Sequence, residues 1–346
     1  MKKRNIVIII LLVFLLLISS FVGYYIYVFY RDSHVAQEPN TISNIDEEKD
    51  ENGEKLNLQE VKGITNILLI GSDARPGDDT SRSDSIMILT IDNVHKKIKT
   101  TSVQRDSYVN IPGHSPQKIN GAFAYGGATL LEKTLELNFK FKIDNYVIIN
   151  FDGFKNIIDA IGGIDVEVKD YEISEINKYI LDAGGSESDF IKEPGYQHLN
   201  GSQSLSFSRI RKVGNGTTYE RDERQRLVVS KLVDKLKSTN PLKYPSILSN
   251  IFPYVKTNLG MSTILNLAYT TYSINNTNIE SLSIPLEQIS WGGVYGNKGW
   301  VFIMDKEQNA KIMKEFIFDD KKVDTNKLDY ASFRKAMAPY KINIKQ

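Results

Sequence analysis

Hydrophobic and polar positions alternate most regularly between residues 65 and 106. Residues 66–70 (NILLI) form a short β-rich run that stops at Gly71, residues 85–91 (SIMILTI) form a second, and residues 98–103 (IKTTSV) a third. Residues 92–97 read as the turn between the last two. Short connections favour antiparallel pairing, which brings the end of the first run, the start of the second and the end of the third to one edge. Asp73, Asp84 and Arg105 are then expected to meet there.

Further on, residues 121–127 form a glycine-bearing loop before a helix at 128–137. Residues 146–150 form a buried strand, Asp152 is an N-cap candidate for a helix ending at Ile161, and Gly162 and Gly163 are its stop. Residues 165–168 return as a strand. Strand, helix and strand at this spacing indicate an α/β chain with a mixed central sheet covered by helices. Residues 171–197 show no usable pattern. In 204–211, Leu205, Phe207, Arg209 and Arg211 alternate, so an extended segment would project both arginines to one side.

The helix expected from Tyr219 to Lys237 carries the most informative spacing. Val228, Leu232 and Leu236 form an apolar stripe at i, i+4, i+8, and the same stripe leads back to Gln225 and Arg221. A core-facing Arg is costly without an anionic partner, and no acid shares the stripe. Arg221 and Gln225 are therefore expected to face a cleft at a helix N-terminus, which itself favours negative charge. Glu220 with Arg224, and Asp222 with Arg226, are spaced to pair along the solvent face. A strand at 279–284 and a helix at 306–318 complete a domain spanning 58–325, and 326–346 reads as a polar tail.

The N-terminus changes the picture. Lys2, Lys3 and Arg4 precede an uncharged, apolar stretch at 5–30, longer than the ~20 residues a bilayer-spanning helix needs. A cleaved signal peptide competes with this reading, but the stretch is too long for its apolar region. Residues 1–31 are expected to be a cytoplasmic tip and transmembrane anchor at the plasma membrane, with everything beyond outside. Residues 32–57 are acidic and poor in apolar side chains, a flexible stalk. With no cysteine and a net charge of +1 in 346 residues, thiol chemistry is excluded and bulk nucleic-acid binding is disfavoured.

Two converging carboxylates repel unless a cation lies between them, so Asp73 and Asp84 suggest a hard metal ion, and the arginines beside them a phosphorylated ligand. The same residues also suit ordinary turn and surface roles. Arg105, Arg209, Arg211 and Arg221 together are more guanidinium than a monophosphate needs, and a diphosphate fits better. Trp291 and Trp300 sit among glycines, where tryptophan stacks on sugars or, more commonly, packs as structure.

The ordered motifs GSDARPG (71–77), RSDSIMILTID (82–92), QRDSYVNIPG (104–113), KINGAFAYGG (118–127), VIINFDGFKNIIDAIGGIDVEV (147–168), LNGSQSLSFSRIR (199–211) and YERDERQR (219–226) resemble the LytR-CpsA-Psr family. The resemblance is close over 65–236 and looser to about 318. It implies an α/β/α fold exposed outside a Gram-positive-type plasma membrane. It also implies a phosphotransferase that moves an anionic glycopolymer from an undecaprenyl diphosphate carrier onto a peptidoglycan acceptor. It places Asp73, Asp84, Arg82 and Arg105 at the catalytic centre, with Mg²⁺ or Mn²⁺ on Asp73 and Asp84. Arg82, Arg105, Arg209, Arg211, Arg221 and Gln225 match the family's lipid-diphosphate positions, with Arg75, Asp106 and Lys118 behind them. Gln104 and the run 218–221 depart from the family's usual residues. A lipid-diphosphate phosphohydrolase and a non-catalytic polyprenyl-phosphate receptor are the alternatives.

Overall fold

The computed structural model describes residues 56–72, 83–211, 214, 217–239, 247, 251–274 and 278–342. The expected membrane anchor, nearly all of the stalk, and Asp73, Arg75 and Arg82 lie outside the described residues. No helix among the described residues is long and apolar enough to cross a membrane.

In chain order, β1 (Ile64–Ser72), β2 (Ser83–Asp92) and β3 (Lys97–Val103) form the antiparallel meander that the pattern predicts. The hairpin β4 (Tyr108–Ile111) and β5 (His114–Lys118) leads into α1 (Asn120–Phe139). Next come β6 (Asn145–Asn150), α2 (Phe151–Ala160), β7 (Ile164–Val168), α3 (Ile173–Asp182), β8 (Gly195–Leu199), α4 (Gly201–Arg209) and α5 (Thr218–Ser238). The chain continues through β9 (Val255–Thr257), α6 (Met261–Ser273), β10 (Glu280–Ile284), β11 (Ser290–Val294), β12 (Trp300–Met304), α7 (Lys306–Phe318) and α8 (Tyr330–Met337).

Among the described residues the central sheet runs β10-β3-β2-β1-β6-β9. It is mixed, because β6 lies parallel to β1 and β10 parallel to β3. The period of two decides the layers. Leu68, Ile70, Ile86 and Ile88 point to one face and pack with Leu131 and Leu135 of α1 and Met313 and Ile317 of α7. Ile67, Ile91 and Ile98 point to the other and meet Val233 of α5 and Leu267 of α6. Both faces are thus covered, as the α/β expectation requires. Lys99, which the sequence reading passed over, is fully buried in β3; its Nζ donates to Asp92 Oδ2 (2.9 Å) and Ile317 O (3.1 Å) and lies 3.3 Å from Asp320 Oδ1. Those contacts tie the end of α7 to the meander.

Several local expectations are corrected. Residues 204–211 are not extended: 201–209 is α4, because Asn200 accepts from Gln203 N while the Gln203 side chain accepts from Asn200 N, a reciprocal cap that starts a helix and overrides the alternation. β7 does not join the central sheet but pairs antiparallel with β8 as a separate ribbon. Residues 121–127 are not a loop: α1 begins at Asn120 and is broken within by Gly126 and Gly127, the latter at φ +60°. The cap of α2 is Asn150, whose side chain accepts from Gly153 N; Asp152 sits in the first turn. The supposed polar tail is part of the body, since α8 buries Phe333 and Met337 against Ile289, Val301 and Ile303.

The close crossing of α2 and α4 depends on Gly201. A Cβ there would collide with the Lys155 carbonyl oxygen, and Gly201 N donates to Asp159 Oδ1 at 2.7 Å. Gly201→Ala is expected to destabilise the chain by about 1–3 kcal/mol, read as a lower urea midpoint; an unchanged midpoint would show that the two helices can slide apart freely.

Candidate active site

The meander does bring Asp84 and Arg105 together. Asp84 is the second residue of β2 and Arg105 lies two residues past β3, and the Arg105 guanidinium forms an ion pair with the Asp84 carboxylate. Behind it, Asp106 joins Arg105 (Nε to Oδ2, 3.5 Å) to Lys118 (Nζ to Oδ1, 2.9 Å), the residue that ends β5. Asp106 and Lys118 therefore orient Arg105, and Lys118 reaches the cluster because β4 and β5 fold back as a hairpin.

Of these groups Asp84 lines a cavity of about 870 Å³ between the central sheet and α2, α4 and α5. Asp84, Arg209, Arg211, Arg221 and Gln225 line it together with apolar Leu69, Met87, Phe151, Phe154, Leu205 and Val229. The change from polar to apolar runs along α5. Gln225 Oε1 accepts from Ser85 Oγ (2.9 Å), and Ser85 lies opposite Gly71 near the end of β1. Val229 lines the cavity one turn on, and a further turn brings Val233 into the core beside Leu69 and Leu89. The stripe anticipated at 228 and 232 faces a different cluster, with Val166, Ile176 and Phe207. α5 is thus buried on two neighbouring faces, and the one continuing Arg221 and Gln225 is 229 and 233.

Arg221 is 3% exposed, and its Nε has no hydrogen-bond partner among the described residues. Among the described residues the acid within ion-pair range of Arg221 is its neighbour Asp222, at 3.6 Å, which lies off the stripe, as expected. The solvent-face placement expected for these α5 charges is overturned. Arg224 turns inward and its Nε donates to Glu172 Oε1 at 2.7 Å, tying α5 to the turn before α3. Asp222 is buried rather than solvent-facing.

Burial pushes the Asp222 carboxyl up from its ordinary 3.8 to about 6, against the opposing pull of Arg221 and Arg226. The folded chain then holds this proton more tightly than the unfolded chain, so the group's contribution to stability falls as pH rises from about 4 through 6. An Asp222→Asn protein is expected to match the parent near pH 4 and to exceed it at pH 7, measured by urea unfolding at both values. A constant difference across that range would rule out the buried acid as its source.

Arg209 is held between two rings, its guanidinium carbon 5.0 Å from the centroids of Phe151 and of Tyr179. That sandwich fixes the side chain without consuming its N–H donors. Sequence reasoning missed both rings, because their approach depends on how α2 and α3 pack. Arg211, at the mouth, has its pKa pushed down, first by the surrounding protein and then by the charges of Arg105 and Arg221. Three guanidinium groups near enough to repel make a local field that an anion relieves.

The donor set also suits a divalent ion. Asp84 supplies carboxylate oxygen at the mouth, and no group of three acidic or imidazole side chains gathers there among the described residues. A divalent ion held there would share the Asp84 carboxylate with Arg105 and draw further ligands from bound phosphate and water.

Comparison with known proteins gives a consistent result. The LytR_cpsA_psr family model matches residues 25–317. A relative from Bacillus cereus (strain AH820), polyisoprenyl-teichoic acid–peptidoglycan teichoic acid transferase TagU, is 34% identical over 266 residues, covering 76% of this chain and 82% of the relative. Among solved structures, TagT bound to LI-WTA superposes with a TM-score of 0.62 at 28% identity, covering 76% of this chain and 93% of that one. The LytR-CPS2A-psr family protein YwtF (TagT) with bound octaprenyl pyrophosphate lipid gives 0.58 at 27% identity, over 76% and 93%.

Proposed function

This chain belongs to the LytR-CpsA-Psr family, and from that premise we propose that it transfers an anionic glycopolymer from a polyprenyl diphosphate carrier to peptidoglycan. The observation that carries the reading is one cavity in which an arginine cluster adjoins an apolar chamber. A diphosphate on a hydrocarbon chain is the ligand class that needs both halves. The named relative acts between polyisoprenyl-linked teichoic acid and peptidoglycan, and a solved relative holds octaprenyl pyrophosphate.

In this reading Arg209, Arg211, Arg221 and Gln225 hold the diphosphate, and Arg105, steadied by Asp106 and Lys118, meets the charge that develops in transfer. The preset side chains need little rearrangement, so positioning contributes alongside charge. Mg²⁺, or Mn²⁺ in its place, would be held by Asp84 and by Asp73, and would neutralise phosphate oxygens. An acceptor hydroxyl oxygen forms a bond to the polymer-side phosphorus while the bond from that phosphorus to the lipid phosphate breaks. Polyprenyl monophosphate leaves with the electron pair, and the hydroxyl proton passes to a carboxylate or to water. The apolar run at 5–30 anchors the chain in the plasma membrane, with the catalytic domain outside, where both substrates lie.

The test is direct. The full-length chain in detergent is incubated with a polyprenyl diphosphate-linked oligomer and peptidoglycan oligomers, with Mg²⁺ or with EDTA. Joined product and polyprenyl monophosphate are expected in equal amounts, with EDTA lowering the rate at least about tenfold. Monophosphate without joined product would make the chain a hydrolase, and donor binding without turnover a receptor.

A further inference from the structure

Trp300 stands apart from the transfer machinery described above. It opens β12, is 40% exposed, and lies opposite Val294, itself 70% exposed. The edge of its indole lies over Gly292, where an added Cβ would come within 3.0 Å of it, so the glycine makes room for the ring. Trp291 has the opposite fate. It is half-buried and packs against Ile289, Val301 and Ile303, its ring over Gly293, which no larger residue could replace without collision. Of the two tryptophans, one is structural and one presents a face to solvent.

The exposed ring is wired to the arginine cluster. Phe302, two residues on and on the same side of the strand, meets the Trp300 ring edge-on at 4.6 Å and packs against Tyr219 at 5.5 Å. Tyr219 belongs to the first turn of α5, two residues before Arg221, and its hydroxyl donates to Pro285 O at 2.9 Å. Phe302 N donates to Asp106 O at 2.9 Å, next to Arg105. The hairpin β11–β12 is therefore bound by backbone to the residue that steadies the phosphate-facing arginine.

Its side of the site matters. The apolar chamber extends toward β6 and α2, through Ile149, Phe151 and Phe154. The hairpin attaches beyond β3, at the other side of β1 and β2 in the sheet order. An in-line displacement brings its nucleophile in opposite the leaving group. A lipid phosphate departing toward the chamber would therefore require the attacking sugar to enter from the opposite side, where the hairpin attaches.

We propose that Trp300, with Gly292 and Val294, forms the subsite that seats a pyranose ring of the peptidoglycan acceptor, next to the sugar whose hydroxyl attacks. A flat aromatic face with one dry side and one wet side matches the C–H face of a hexosamine, whose polar edges stay hydrated. This assignment rests on the transfer reading for the identity of its ligand.

The chain contains only two tryptophans, so a Trp291→Phe protein leaves Trp300 as sole reporter. Adding N-acetylglucosamine–N-acetylmuramic acid oligomers to this full-length protein, without donor, is expected to change its fluorescence saturably. In steady state, Trp300→Ala is expected to raise the acceptor KM about 3- to 10-fold, with donor KM and kcat within twofold and with Trp300→Phe restoring most of the loss. An unchanged acceptor KM overturns the subsite. So does a fluorescence response to free polyol phosphate oligomers or phospholipid vesicles but not to the glycan. If donor turnover fails in the parent chain while the glycan still titrates Trp300, the transfer reading falls and the saccharide site stands.

Discussion

An Arg221→Lys protein is expected to turn over a polyprenyl diphosphate donor on the order of 10²- to 10³-fold more slowly than the parent, even though the charge is kept. The guanidinium is buried on the first turn of α5, with an Nε that meets no hydrogen-bond partner among the described residues and a nearby carboxylate pushed toward its neutral form. A planar fork at that position can present two parallel donors to phosphate oxygens, whereas an ammonium is a single point of charge on a flexible stem. Arg221→Lys should therefore lose donor affinity together with rate, measured as kcat and donor KM with the acceptor saturating. Circular dichroism and the urea midpoint serve as controls for folding. A lysine protein within threefold of the parent would remove Arg221 from the diphosphate site.

The largest effect on stability is expected at Glu172. Its carboxylate receives Arg224 Nε at 2.7 Å and Lys169 N at 2.9 Å, and both it and Arg224 are buried. Glu172→Ala strands the Arg224 charge in the interior and is expected to cost about 3–5 kcal/mol in urea unfolding. Replacing both partners by Met removes the stranded charge and should recover much of that loss. Failure of Glu172→Ala to lower the midpoint would mean that Arg224 finds water when its partner goes. The consequence reaches the site, because this pair fixes α5 against α3, and α5 carries Arg221 and Gln225.

The parts of the fold that could be read early were those in which local signals agreed. The meander of 64–103 was legible because its β-rich runs, polar breaks and short connections all point to the same pairing. Helix α7 was legible to the residue, with Asp305 accepting from Gln308 N at its start. Alternation misled at 204–211, because Leu205 and Phe207 look like strand positions until the Asn200–Gln203 cap is weighed. At 326–346 the polar composition concealed Phe333 and Met337, two side chains whose burial depends on a cluster formed by residues 289–303.

Among site residues, the ion pair of Asp84 with Arg105 followed from strand direction, since antiparallel neighbours must share an edge. The inward turn of Arg221 followed from the helical period. The rings that sandwich Arg209, the partner of Arg224 and the separation of Trp291 from Trp300 did not follow from spacing.

The opening meander, helices α5 and α7, the family and the residue types available for phosphate chemistry are properties of the chain itself, because strand alternation, helical period and caps act over a few neighbours. How α5 shares its two buried faces between cavity and core, which carboxylate is driven toward its neutral form and which tryptophan presents a face to solvent were decided only by packing. Those outcomes are set by burial and charge among residues far apart in the chain, and no local rule carries that information.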